Sequence, residues 1–200
     1  MEWEKDLLKD IRTLTPLDDI DGCRQNARKE VSECNLFELN KHFSKIKESC
    51  RAIMEIGVHR NGPESFTNIF LKNKLQTTIY LGVDIVDKSF LNNPSNSIFT
   101  FVQNSSNLDV VMNYANSIGI TEFDFILIDG NHSINQVLRD WEYTKFLSND
   151  GVVGFHDSAY FYGPENFLKN LNPDKWNIIQ NACDDDYDNG IGFCWKKVNY

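Results

Sequence analysis

The sequence predicts an α/β fold, a Rossmann-like doubly wound sheet of seven strands that is mostly parallel and ends in a C-terminal antiparallel hairpin. Three observations predict it. Seven short apolar runs rich in Ile, Val and Phe punctuate the chain, each too short for a helix and continuous, as strands buried on both faces are. Stretches with helical spacing separate most of the first five runs, the pattern of βαβ units and a helix-covered parallel sheet. The last two runs have no helix between them and join through Asn189-Gly190, a turn pair, so they pair antiparallel.

In order along the chain, residues 1–49 form an N-terminal helical segment. It is charged, with helical spacing at Leu7, Leu8 and Ile11 and again at Leu36, Leu39, Phe43 and Ile46, around a turn near Thr15, Pro16 and Gly22. A single domain over residues 50–200 follows. Its strands are RAIMEIG (51–57), TIYLGVD (78–84), SIFTFVQ (97–103), FDFILID (123–129) and GVVGFHD (151–157), then the hairpin of WNIIQ (176–180) and IGFCWKKV (191–198). Helices are predicted over 64–74, 107–118 and 133–147. The third is the best marked: Ser133 with Gln136 makes a capping box, and Ile134, Val137, Leu138 and Trp141 form one apolar stripe.

Composition narrows the function classes. Two hundred residues suit one domain, which buries roughly 70% of the surface its unfolded chain exposes. The formal net charge of -9 excludes phosphate-backbone binding as the main activity, because that needs clustered Lys and Arg. Small-molecule chemistry is favoured over nucleic acid. Cys23, Cys34, Cys50, Cys183 and Cys194 are odd in number, widely spaced and contain no CxxC, so the expectation is reduced structural thiols with no disulfide framework or zinc site. MEWEKDLLKDIR lacks the apolar region of a signal peptide, and no apolar run approaches the ~18 residues of a membrane span, so a cytoplasmic protein without membrane contact is expected.

In an open α/β sheet, ligands collect beyond the carboxyl ends of the strands, and the polar residues fall there. The first strand ends in Glu55-Ile56-Gly57 and runs on through VHRNGPES, a Gly-containing turn into a helix. The second ends in Asp84, at the spacing where an acidic residue holds a ribose diol. Glu55 and Asp84 are alternatively loop carboxylates without a ligand. Asn104, Ser105 and Ser106 follow the third strand and either cap the next helix or contact a nucleobase. Asp129 ends the fourth strand, and His156 and Asp157 end the fifth. If those strands are neighbours, about 4.8 Å apart, the three side chains converge and could hold Mg or Mn. Their alternative is a capped loop and a turn.

Together these residues resemble the class I S-adenosylmethionine-dependent methyltransferases. The resemblance is carried by Glu55-Ile-Gly57 with Gly62, by Asp84, by IDGNHSINQVLRDWEYTKFLSNDG and by GVVGFHD, and it spans roughly residues 50–198. More narrowly, the chain is similar to small metal-dependent O-methyltransferases in which DGxHxxxxVxxD precedes a Gly-containing turn and an HD pair. The resemblance implies S-adenosylmethionine as methyl donor, with Glu55, Gly57 and Gly62 around its methionine part and sugar, Asp84 on the ribose hydroxyls, and Asn104 and Ser105 near the adenine. It implies a divalent metal on Asp129 and Asp157, with His156 nearby or as third ligand, a position where relatives often carry a carboxylate or amide. Asp129 thus belongs to both the catalytic and the cofactor-binding sets. The first loop, VHRNGPES, is longer than the usual glycine turn and carries His59 and Arg60.

Methyl transfer to a hydroxyl needs an alkoxide-like oxygen held in line with the methyl carbon. A cation lowers the acceptor's pKa, and His132 could take the proton. Alternatively, His132 donates to a backbone carbonyl or to Asp140 and only braces the turn. The expected function is metal-assisted O-methylation of a small polyhydroxylated acceptor, a sugar or glycosylated metabolite.

The rivals are an NAD-dependent oxidoreductase, for which the GxGxxG fingerprint is missing, and a non-catalytic S-adenosylmethionine-binding module. GNH and HD also occur in metallophosphoesterases and phosphohydrolases, but in contexts absent here. CDDDYDNG (183–190) reads as a solvated loop, since a calcium loop would need Gly at Asn189 and Glu at Trp195. Tyr160, Phe161 and Tyr162 could border the acceptor pocket. Residues 1–49 are available to cover the pocket or to form a homodimer contact.

Overall fold

The computed structural model describes Cys23 and residues 31–58, 65–183 and 188–197. The sequence features at Leu7 to Gly22, His59, Arg60 and Gly62 lie outside these described residues. Its strands are β1 (Ala52–Ile56), β2 (Ile79–Asp84), β3 (Ile98–Val102), β4 (Phe123–Ile128), β5 (Leu147–His156), β6 (Trp176–Ile179) and β7 (Ile191–Lys196). They form one seven-stranded sheet in the order β3-β2-β1-β4-β5-β7-β6. The first five are mutually parallel where they pair, and β7 runs antiparallel to both β5 and β6. The predicted α/β architecture and its C-terminal hairpin are therefore the observed ones.

Continuous apolar runs become strands here because helices cover both faces. Every residue of β1 and β4 is buried. On one face, α1 (Glu33–Ile46) and α2 (Phe66–Asn73) press Leu39, Phe43, Phe66 and Phe70 onto Ile53, Tyr80, Phe125 and Leu127. On the other, α3 (Leu108–Ser117), α4 (Ile134–Trp141) and α5 (Tyr162–Asn170) cover Met54, Ile56, Ile126 and Ile128. Trp141 anchors that face, with its ring 4.9 Å from Phe167 and 4.8 Å from Trp176.

Several local expectations change. The predicted helix 133–147 stops being α-helical at Trp141 and continues as a 3-10 turn over Glu142–Phe146. There the Thr144 hydroxyl donates to the Trp141 carbonyl at 2.7 Å and competes with the helical ladder. Ser133 does cap α4, accepting from the Gln136 amide at 3.2 Å, but the box is half made. The Gln136 side chain reaches Ser105, Ser106 and Asp140 instead, and the Ser133 amide donates to Asn131. Helix α5 was hidden behind Gly163-Pro164, which reads as a turn, yet Pro in a first helical turn costs nothing because that amide has no partner there. Gly163 is required, since a Cβ would collide with the His132 carbonyl.

The expectation of reduced thiols is corrected. Cys34 at the start of α1 and Cys183 before β7 form a disulfide across 149 residues, with Cα atoms 6.0 Å apart, while Cys23, Cys50 and Cys194 are not disulfide-bonded. Spacing gave no hint, because only the packing of α1 against the β6–β7 connection brings the two together. Disulfides are rare in the reducing cytosol, so cysteine usage lends no support to a cytoplasmic setting. Among the described residues no helix is long and apolar enough to cross a membrane.

The cross-link is expected to contribute about 2–5 kcal/mol to folding stability. Urea unfolding with and without dithiothreitol checks this: the reduced protein should unfold at lower urea, and Cys34→Ser should show the reduced midpoint in both conditions. Coincident midpoints for all samples would contradict the pairing.

Candidate functional site

Strand order reverses between β1 and β4, because β1 leads outward to β2 and β3 while β4 leads to β5. At such a switch point the following loops diverge and leave a crevice beyond the carboxyl ends. A cleft of about 790 Å³ lies there. Its floor is set by close backbone approach: Gly57 adopts φ +84°, and a Cβ at this position would occupy the space of the Asp129 carbonyl. The Gly57 amide donates to Val83 and the Asp129 amide to Ile56, so three strand ends are tied together under the opening.

One end of the cleft is lined by Gly57, Asp84, Ile85, Val86, Asn104 and Ser105. The Asp84 carboxylate accepts from the Val58 amide at 2.9 Å and the Val86 amide at 2.8 Å, one bond to each oxygen. Each oxygen keeps a lone pair for a further donor. Lys88, four residues on, stands 3.8 Å away. Asn104 accepts from the Ser106 amide at 2.9 Å and so shapes the turn before α3, whose own N-cap residue, Asn107, makes no side-chain cap bond. Ser105 is held between Gln136, whose amide donates to its hydroxyl, and Tyr143, whose hydroxyl donates to its carbonyl at 2.6 Å.

The other end is lined by His132, Asp157, Tyr160, Phe161 and Asn189. Register Ile128↔Phe155 makes β4 and β5 neighbours, as the convergence of their end residues requires. His156 Nδ1 lies 2.8 Å from Asp129 Oδ1 and 3.3 Å from Asp157 Oδ2. One ligand atom from each of the three residues falls within 4.8 Å of the others. Two carboxylates and an imidazole in one largely buried volume fit a divalent cation by donor chemistry. His132 Nε2 is 2.6 Å from Asp157 Oδ2, and its ring stacks on Phe161 with centroids 4.0 Å apart. His132 thus braces against Asp157, and Asp140, the partner weighed from sequence, bonds Gln136 instead. Burial alone would raise the Asp157 carboxyl. The close His132 contact, the charges of His156 and His132 and the Asn189 amide outweigh it and hold this group below the usual carboxylate range.

Glu55 sits elsewhere. It points to the α1/α2 face, 1% exposed, accepting from Thr67 at 2.8 Å and from the Tyr80 hydroxyl. Burial pushes its carboxyl up to about 8 despite those bonds. Asp140 is likewise buried, and its carboxyl is pushed up to about 7. The wall beside Gly57 is Ile56 rather than Glu55. Lys88, Gln136 and Asn189 were missed as wall residues. Gln136 was read only as a helix cap and Asn189 only as a turn residue, although the pair at Asn189-Gly190 was the one local signal available.

No family model matches the chain, and no curated protein matches it. Solved structures do. MycE methyltransferase from the mycinamycin biosynthetic pathway, in complex with Mg, SAH and mycinamycin VI, superposes with a TM-score of 0.56 at 18% identity, over 84% of this chain and 55% of that chain. The chain therefore spans about half the length of MycE. A methyltransferase from Geobacter sulfurreducens matches with a TM-score of 0.53 at 10% identity, over 83% of this chain and 80% of that chain. An rRNA methylase from Streptococcus thermophilus matches with a TM-score of 0.51 at 10% identity, over 78% of this chain and 94% of that chain. The likeness shows that the chain has the class I methyltransferase fold.

The raised Glu55 carboxyl has a consequence for stability. Its neutral form is the one the fold favours, so the stability it contributes is fully present below about pH 4.5 and lost as pH rises through about 8. Glu55→Gln should remove that dependence, gaining on the wild type by about 2–4 kcal/mol between pH 5 and pH 8. Denaturant unfolding across that range reads the difference, and a constant gap would refute the assignment.

Proposed function

We propose that the chain is an S-adenosylmethionine-dependent methyltransferase that carries out metal-assisted O-methylation of a small polyhydroxylated acceptor, a sugar or glycosylated metabolite. The observation that carries this reading is the meeting of Asp129, His156, Asp157 and His132, of which His132 and Asp157 line one end of a switch-point cleft whose other end presents Asp84, Asn104 and Ser105. The solved structure of MycE with Mg, SAH and mycinamycin VI supports it by fold and by the kind of ligands bound there.

At the first end, Asp84 takes the ribose hydroxyls on its remaining lone pairs. Ile85 and Val86 offer an apolar wall to the base, and Asn104 and Ser105 face its edge. The bare backbone at Gly57 lets the donor's sulfonium end approach the second end. When bound, S-adenosylmethionine supplies an electrophilic methyl group, and a Mg or Mn ion on Asp129, His156 and Asp157 lowers the pKa of the acceptor hydroxyl and fixes its orientation.

The chain's own residues manage the proton. His132 sets Nε2 2.6 Å from Asp157 Oδ2, which leaves Nδ1 to take the acceptor's proton. Stacking on Phe161 holds the ring in plane, and the ionised Asp157 stabilises the imidazolium once the proton has been taken. Tyr160 and Phe161 border the acceptor's side and exclude water from it.

Calorimetric titration of protein freed of S-adenosylhomocysteine with S-adenosylmethionine should show binding, and its absence would sink the first half of the reading. Asp129→Ala and Asp157→Ala should abolish metal-stimulated turnover, whereas undiminished activity in chelator would refute the metal. His132→Ala should lower kcat by about 10²- to 10⁴-fold with S-adenosylmethionine affinity retained.

A further inference from the structure

Three consecutive residues, Asp188-Asn189-Gly190, reach the site from behind, and each has a separate task. Asp188 ties the segment to the start of α1: its carboxylate accepts from Asn35 Nδ2 at 2.7 Å and from the Ser32 hydroxyl. Gly190 turns the chain at φ +83°, where a Cβ would collide with Ala159. Asn189 lies between them, 5% exposed, with its carbonyl accepting from the Ala159 amide at 2.9 Å. The Cys34–Cys183 disulfide joins the same helix to the same connection.

The Asn189 side chain borders the cleft and donates from Nδ2 to Asp157 Oδ1 at 2.7 Å. An ionised carboxylate only accepts, so the amide nitrogen must face it and the amide oxygen is turned away from it. That oxygen is buried and has no donor among the described residues. A buried carbonyl left in this way disfavours the fold unless something in the cleft satisfies it.

We propose that Asn189 is a positioning residue of the cation site, its amide nitrogen fixing the Asp157 carboxylate and its amide oxygen contributing a neutral donor to the shell of a hard divalent cation. This rests on the reading of Asp129, His156 and Asp157 as cation ligands. The chemistry is apt. Those residues supply two carboxylates and one imidazole, a hard cation takes six or more donors, and an amide oxygen adds one without bringing a third negative charge into a buried volume.

The test is Mn²⁺ titration of the full chain, followed by the electron paramagnetic resonance signal of free Mn²⁺, with S-adenosylhomocysteine titrated in parallel as a probe of the intact fold. Wild type should bind Mn²⁺. Asn189→Ala and Asn189→Leu should each weaken it by about 10- to 100-fold with S-adenosylhomocysteine affinity unchanged. Leu fills the same space without polar atoms, so it separates lost hydrogen bonding from lost packing. Wild-type Mn²⁺ affinity in Asn189→Leu overturns the proposal, whether or not the Ala variant is weakened. A wild type that binds S-adenosylhomocysteine but no Mn²⁺ overturns instead the cation reading on which the proposal stands.

Discussion

A carboxylate as buried as Asp157 stays ionised only when its surroundings replace the water it has given up. The replacements come from three separate stretches of chain: His156 from the same strand end, His132 from the loop after β4, and Asn189 from the connection before β7. Asp157 also holds a left-handed backbone, φ +58°, of the kind that costs on the order of 1–3 kcal/mol in a residue with a side chain. Its carbonyl accepts from the amides of Tyr160 and Phe161, which over-determines that conformation. Phe161 then stacks on His132, so the turn that strains Asp157 also orders its partner.

The buried acids show how far partners, rather than burial, decide charge. Glu55, Asp140 and Asp157 are all nearly inaccessible. Glu55 has only neutral donors and two further carboxylates, Asp129 and Asp84, in its field, and its carboxyl rises. Asp140 has Gln136 and Ser105, and also rises. Only Asp157 faces two imidazoles, and it alone of the three is held down. Burial thus favours the neutral form of Glu55 and Asp140 in the two core layers, while the imidazoles favour the charged form of Asp157 at the cleft, where a cation or an imidazolium would sit.

Much of this was legible in the residues. The runs at 51–57, 78–84, 97–103, 123–129 and 151–157 became β1 to β5 within a few residues because strands covered on both faces must be continuously apolar. The meeting of Asp129, His156 and Asp157 followed from one assumption, that β4 and β5 are adjacent, which the register bears out. Other features left weaker traces or none. Glu55 shares its motif with Gly57, but Glu55 is still within the strand, under the helices of one face, whereas Gly57 lies past the strand end and turns at φ +84°, and of the two only Gly57 lines the cleft. Helix α5 was masked by Gly-Pro at a position where proline is harmless. Gln136 had two uses open to it, and the cap signal pointed to the one it does not adopt.

The sequence by itself determined the class of fold, the order of elements and which polar residues stand at strand ends, because these depend on local periodicity and on turns that a few neighbouring residues decide. Only the tertiary structure decided that Cys34 meets Cys183, that His132 leans on Asp157 rather than Asp140, and that Asn189 stands behind Asp157. Each of these pairs joins segments separated by 25 to 149 residues. Such contacts arise from how layers pack, and no spacing along the chain encodes them.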